Sequence, residues 1–258
     1  MAVRNKIIYE QPLNERVRNW MRLAHLFSCV DNRMNGFSLW DSRSAVNALV
    51  DLLDFTSKSD LKPDLIKDLE QHAQKFAAWQ KQPNIDSQRL DELLKKLKRL
   101  IAGLASYEGV FGQKLHDNII ISSIRQRTGI PGGSCHFDLS AYQYWLHSAS
   151  KQRQNDLINW LSQFALLREA VDLNLYLIRN NTTNSQEVAE GGFFQARLEG
   201  VQYYRMVRIH LFDDVTYFPE VSGGRHRFTV RFLTMDANNN RTLPVDEAVQ
   251  FELNCCIN

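Results

Sequence analysis

The feature that most constrains this chain is a change of hydrophobic period. Up to about residue 180 apolar residues recur at spacings of three and four, as in helices with one buried stripe; beyond it they alternate, as in strands with one buried face. A run of helices followed by a run of strands argues for the α+β class. The expectation is a mainly α-helical domain over residues 1–180, then an antiparallel β-sheet domain over 181–258.

After a short extended start, "KIIYEQ", Pro12 is read as opening a helix with Leu13, Val17, Trp20, Met21, Ala24 and Phe27 on one face. Asn14, Arg18, Arg22 and His25 form the opposite stripe. Ser42 is read as the cap of "SRSAVNALVDLLDF", and Pro63 sits in a first turn, where proline is tolerated. Asp86 caps "SQRLDELLKKLKRLIAGLAS", whose leucines 90, 93, 94, 97, 100 and 104 form a stripe, and "PNI" makes the turn before it. Lys95, Lys96, Lys98 and Arg99 fall on the outer side of that helix, where the simplest reading is a solvated face. "DNIIISSIRQR" runs into the breaker "TGIPGGS"; Ser140 then caps "AYQYWLHS" and Ser150 caps a single long helix ending at "LIRNN". Tyr142, Tyr144 and Trp145 suit either the core or an interface with a second copy.

The stretch "NTTNSQEVAEGG" has turn residues and no apolar periodicity, and is read as the domain boundary. Past it, four runs read as strands: "FFQARLE", "YYRMVRIHLF", "RHRFTVRFLT" and "VQFELNCC", with "EGVQ" and "PEVSGG" as turns. The connections are of hairpin length, which implies an antiparallel sheet with one face buried and one available.

One strand stands out by its charge. In "GGRHRFTVRFLTMD", Arg225, Arg227, Thr229 and Arg231 share one face, while His226, Phe228, Val230 and Phe232 share the other. The net charge is only +2, with 44% hydrophobic and 23% charged residues, so three arginines in a row do not reflect a generally basic chain. The same balance falls short of a dedicated nucleic-acid binder. The RNA-recognition strand motif fails as well. Its stacking positions hold Arg227 and Thr229, and the strand's own aromatics face the other way. With no stacking aromatic beside the row, a peptide carboxylate suits it better than a base, and a single-stranded nucleic acid is kept as the rival partner.

Other chemistry finds little support. "GIPGGS" lacks the spacing and the lysine of a phosphate-binding loop. Cys135, His136 and Asp138 in "SCHFD" are sequence neighbours, whereas a nucleophile and its base must meet across space. The histidines show no metal-ligand spacing, and the acids in the turn at Asp213–Asp214 are ordinary turn residues. The four cysteines, Cys29, Cys135, Cys255 and Cys256, form neither a disulfide framework nor a zinc site. No catalytic residue, metal or cofactor is expected. No apolar run reaches the roughly 18 residues of a membrane span and the start has no signal-like segment, so a soluble cytoplasmic protein is expected.

Taken together, "YEQPLNERVRNWMRLAHLF" (9–27), "RQRTGIPGGSCHFDL" (125–139), "YWLH" (144–147) and "FPEVSGGRHRFTVRF" (218–232) resemble the ZapD family of bacterial cell-division proteins. The resemblance implies a cytoplasmic, non-enzymatic homodimer at the mid-cell division site, with a helical domain and a β domain; the aromatic-rich helical part is expected to carry the dimer contact. It implies binding to the C-terminal peptide of the tubulin-like GTPase FtsZ, and cross-linking of FtsZ filaments into bundles that support the Z-ring. The family's basic surface carries over onto Arg227 and Arg231, with Arg225 in the same row, and onto Arg18 in "NERVRNW". No membrane or nucleic-acid partner is implied.

Overall fold

A computed structural model describes residues 5–58, 60–80, 86–198, 203–224, 226–237 and 241–257. Strand β1 (Lys6–Pro12) is followed by helices α1 (Glu15–Met34), α2 (Leu39–Lys58), α3 (Leu61–Trp79), α4 (Ser87–Ser106), α5 (Ile119–Arg125), α6 (Ser140–Leu146), α7 (Ser150–Ser162) and α8 (Ala165–Asn180). Strands β2 (Thr182–Ala189), β3 (Phe193–Arg197), β4 (Tyr204–Phe212), β5 (Tyr217–Gly223), β6 (Arg227–Met235), β7 (Thr242–Pro244) and β8 (Val249–Ile257) complete the chain. Apart from β1, helices thus precede the strands of antiparallel sheets, the α+β order implied by the change of period.

The chain divides into two compact units, one of Met1–Asn19 with Leu175–Asn258 and one of Trp20–Asn174. The division differs from a single cut after residue 180, because β1 is registered antiparallel on β4 from Lys6↔Phe212 to Pro12↔Met206. Pro12 therefore ends a strand, and the helix expected from it begins at Glu15 instead, where the Asn14 side chain accepts from the Val17 N–H at 3.0 Å.

In the Trp20–Asn174 unit the buried stripe of α1 is Trp20, Leu23, Phe27 and Val30, with Met21 and Ala24 only half-buried. The Trp20 indole N–H donates to Asp68 Oδ2 at 2.9 Å, the Asn174 amide donates to the same oxygen, and His72 bonds Asn174 Oδ1 at 3.0 Å. Buried polar groups need such partners, so this network fixes α1, α3 and α8 in one register. At the start of α2, the Ser38 hydroxyl accepts from the Asp41 N–H and Asp41 Oδ2 accepts from the Ser38 N–H, a reciprocal capping box. The cap is thus Ser38. Ser42 lies one turn inside, buried, and accepts from the Arg153 Nε at 2.9 Å.

The remaining Arg153 donors reach the carbonyls of Leu146, Ser148 and Phe37, so a buried guanidinium is held by neutral acceptors from three chain segments. Asp86 caps α4 by accepting from the Arg89 N–H at 3.1 Å, and Leu90, Leu94, Leu97, Leu100 and Leu104 are buried as the spacing requires, with Leu93 of the expected stripe only half-buried. The "PNI" turn lies outside the described residues. Ser140 and Ser150 are the first residues inside α6 and α7, where the capping positions fall to Leu139 and Ala149. The single long helix expected from Ser150 breaks between α7 and α8 at Gln163 and Phe164. Phe164 is fully buried there, and its ring occupies the space beside Gly112, whose φ of 78° and lack of a Cβ allow the approach. Tyr142 and Trp145 are core residues, whereas Tyr144 is exposed.

In the other unit two four-stranded sheets share one hydrophobic cluster. The first has the order β1-β4-β8-β2; the second has the order β3-β6-β5, with β7 also paired to β6. Val207, Ile209, Phe251 and Leu253 from the first meet Phe228, Val230 and Phe232 from the second, and the Phe232 and Phe251 ring centroids stand 5.2 Å apart. Two expected loops are strands. Residues 182–189 of the supposed boundary form β2, an edge strand on β8, and residues 219–223 of the supposed turn "PEVSGG" belong to β5, which pairs with β6. Pro219 is compatible with β5 because an edge strand can leave one side of its backbone unpaired. The "EGVQ" turn lies outside the described residues.

Candidate functional site

Strand β6 alternates as its sequence requires. Phe228, Val230 and Phe232 are buried in the cluster between the sheets, and Arg227 and Arg231 are exposed on the outer face with Thr229 half-buried between them. The two arginines, four residues apart, stand about 13 Å from one another along the strand. Arg225 lies outside the described residues. Arg18 lies in the first turn of α1, 3.7 Å from Glu15, and among the described residues no hydrogen bond or ion pair joins it to β6.

The neighbouring strands complete the face. On β3, Arg197 pairs with Arg227, Gln195 with Thr229 and Phe193 with Arg231. On the other side, Ser222 of β5 pairs with Thr229 and Glu220 with Arg231. The Leu198 N–H donates to the His226 carbonyl and the Phe232 N–H to the Gly192 carbonyl, which sets the ladder's phase. Arg197–Arg227 and Phe193–Arg231 are therefore the non-hydrogen-bonded pairs, with Cα atoms about 4.5 Å apart and side chains close. The Gly224 N–H donates to the Arg227 carbonyl, so Glu220–Arg231 is of the wider, hydrogen-bonded kind.

Arg197 is a third exposed arginine that the sequence reading passed over. The alternation Phe193, Gln195, Arg197 was present in "FFQARLE", yet only the register places Arg197 against Arg227. Phe193 is the second addition, and it corrects an expectation: an aromatic, 44% exposed, does stand beside the arginine row, opposite Arg231. Gly224 flanks Arg227 with open space where a side chain would be. A hollow of about 490 Å³ lies there, bordered by Gln195, Ser222, Gly224, His226, Arg227 and Thr229.

The electrostatic state of these arginines separates them from others. Glu10 holds Arg179 in a two-point contact at 2.9 and 2.7 Å and also meets Arg208 at 3.0 Å; Asp31 holds Arg168 in the same two-point way. Lys96 and Arg99 of α4 share Glu169. Among the described residues Arg197, Arg227 and Arg231 have no ion pair within 4.0 Å. Guanidinium groups left without an acid on an open face suit planar, two-point recognition of a carboxylate.

Catalytic chemistry has less to work with. Burial pushes the Cys255 thiol up to about 11 and the Cys256 thiol up to about 12, so both are protonated and poorly nucleophilic at neutral pH. Among the described residues no group of three His, Cys, Asp or Glu side chains is placed to hold a metal ion, and no helix is long and apolar enough to cross a membrane.

The model of the ZapD family, described as a cell division protein, matches residues 21–231, a span that ends on the arginine strand. This chain belongs to the ZapD family of cell division proteins. Full-length relatives agree. A protein of Methylococcus capsulatus named Cell division protein ZapD is 35% identical over 255 residues, covering 99% of this chain and 100% of its own length. Proteins of the same name from Cupriavidus pinatubonensis and Coxiella burnetii are 36% and 34% identical, over 97% and 98% of this chain and 99% of their own length. The family assignment supports a role in cell division, and the family is one of division factors.

Proposed function

We propose that this protein binds the C-terminal tail of FtsZ on the outer face of the β3-β6-β5 sheet and, as a homodimer, cross-links FtsZ filaments into bundles at the mid-cell division site in the cytoplasm. The observation that carries the reading is the pair Arg227 and Arg231, exposed and without an acid partner among the described residues, at the positions onto which the family's basic surface carries over. Arg18 and Arg225 are proposed as peripheral contributors.

A disordered tail gives up conformational entropy when it docks, so a single contact is weak, on the order of micromolar or poorer. Two sites on one dimer change the outcome, because filaments present many tails at high local concentration and the second contact is intramolecular. Bundling then follows from bivalency without further contacts. The helical unit supplies exposed aromatics suited to a dimer contact, namely Phe37, Trp40 and Tyr144, with the Arg43 guanidinium lying over the Trp40 ring.

The test is sedimentation of FtsZ with GTP, with and without this protein. Added protein increases the pelleted FtsZ, and Arg227→Glu with Arg231→Glu abolishes the increase; equal pelleting of FtsZ lacking its tail would contradict docking through that segment. Phe193 beside Arg231 gives the rival reading, a single-stranded nucleic-acid binder, one stacking surface. That reading predicts oligonucleotide binding with a steep salt slope and no bundling of FtsZ.

A further inference from the structure

The outer face of the second sheet is asymmetric along β6. At one end Arg231 has Glu220 across the wide pair and Phe193 across the close pair, so its charge is partly offset and its flank is apolar. At the other end Arg227 has Arg197 across a close pair and Gly224 on the opposite side. Like charges directly opposite in an antiparallel pair are destabilising. Neither guanidinium has an acid partner among the described residues, and Gly224 leaves the space beside Arg227 open.

We infer that Arg197 and Arg227 form a two-armed clamp for a single carboxylate of the bound peptide, so that Arg197 is a specificity-determining residue of the site. The inference rests on the peptide-binding reading above. Side by side at the narrow spacing, the two guanidinium groups can each direct N–H donors at one carboxylate, and the anion relieves the repulsion between them. The opposite end holds a different kind of group. Phe193 offers apolar surface about 13 Å along the strand, the length of four residues of extended chain. The ligand that fits is an extended peptide with an acidic residue and, about four positions away, an apolar one.

The experiment is a fluorescence-anisotropy titration of two labelled peptides, the FtsZ C-terminal peptide and hexaglutamate, against the full chain and the variants Arg197→Gln, Arg227→Gln and the double variant. Each single change weakens tail-peptide binding about tenfold, as for loss of one charge-assisted contact, and the double change costs little more than either alone, since both arms serve one carboxylate. Thermal melts accompany the titration. Arg197→Gln melts at or above the temperature of the unchanged protein in low salt, because repulsion has been removed; a lower melting temperature would overturn the clamp by giving Arg197 a structural role.

Arg197→Gln binding within about twofold of the unchanged protein, or losses that multiply in the double variant, would overturn the clamp and leave the peptide reading standing. Binding of hexaglutamate but not of the tail, with the same loss on Arg197→Gln, would uphold the clamp and remove FtsZ as the partner. Binding of neither peptide would overturn both.

Discussion

Lys95, Lys96, Lys98 and Arg99 on α4 and Arg197, Arg227 and Arg231 on the outer sheet face are both compact basic clusters, and they differ in what stands beside them. On α4 two of the four charges are answered from another element of the same unit, since Glu169 of α8 takes both Lys96 and Arg99. The Arg99 hydrogen bond, with the charges of Arg99 and Lys96, holds the Glu169 carboxyl below its ordinary value. On the sheet the register puts arginine opposite arginine, and an acid, Glu220, opposite only one of the three. A count of basic residues ranks the α4 cluster first. What distinguishes a binding surface from a solvated face is whether the fold has already supplied the counter-charge.

Ways to break that comparison can be ranked by size. Arg227→Glu with Arg231→Glu, which reverses two charges on the face, is expected to weaken binding of the FtsZ tail peptide by about a hundredfold or more, read by anisotropy. Raising the salt from about 0.05 to 0.5 M, which shortens the screening length several-fold, should weaken the unchanged protein by roughly tenfold. Glu220→Gln removes the acid registered opposite Arg231 and should tighten binding by about two- to threefold, again by titration.

The smallest effect belongs to α4. Glu169→Gln should leave peptide binding unchanged and lower stability by about 0.5 kcal/mol at neutral pH, as for an exposed ion pair. The sign follows from the depressed carboxyl. The pair's contribution is complete above the ordinary value of 4.5 and is lost as pH falls through the lower folded value, so the two proteins should melt alike in strong acid.

Much of the fold was legible where burial imposes a period. The leucine stripe of α4 and the alternation of β4, β6 and β8 could be read from spacing, because each has one face in a core. β2 could not. Its sequence "TTNSQEVA" is polar and mostly exposed, and it is a strand because β8 offers it a ladder. β5 was hidden by Pro219 and Gly223, turn-like residues that an edge strand tolerates. The break between α7 and α8 has no glycine or proline; it is set by the burial of Phe164.

For the candidate site the lesson is similar. The exposure of Arg227 and Arg231 followed from alternation within one strand, whereas Arg197 and Phe193 joined the face through a register with a strand some thirty residues earlier. Intra-strand period is local information. Which strand lies alongside, and in which phase, is decided by the whole sheet.

The central claim is that the sheet arginines and not the α4 cluster hold the FtsZ tail. It is tested most directly by titrating one labelled tail peptide against three proteins: unchanged, Arg227→Glu with Arg231→Glu, and Lys95→Glu with Lys98→Glu. The predicted result is binding lost in the first variant and within about twofold of the unchanged protein in the second, since exposed charges that do not touch the peptide contribute little to its binding. Equal losses in both variants, or a loss confined to the α4 variant, would contradict it.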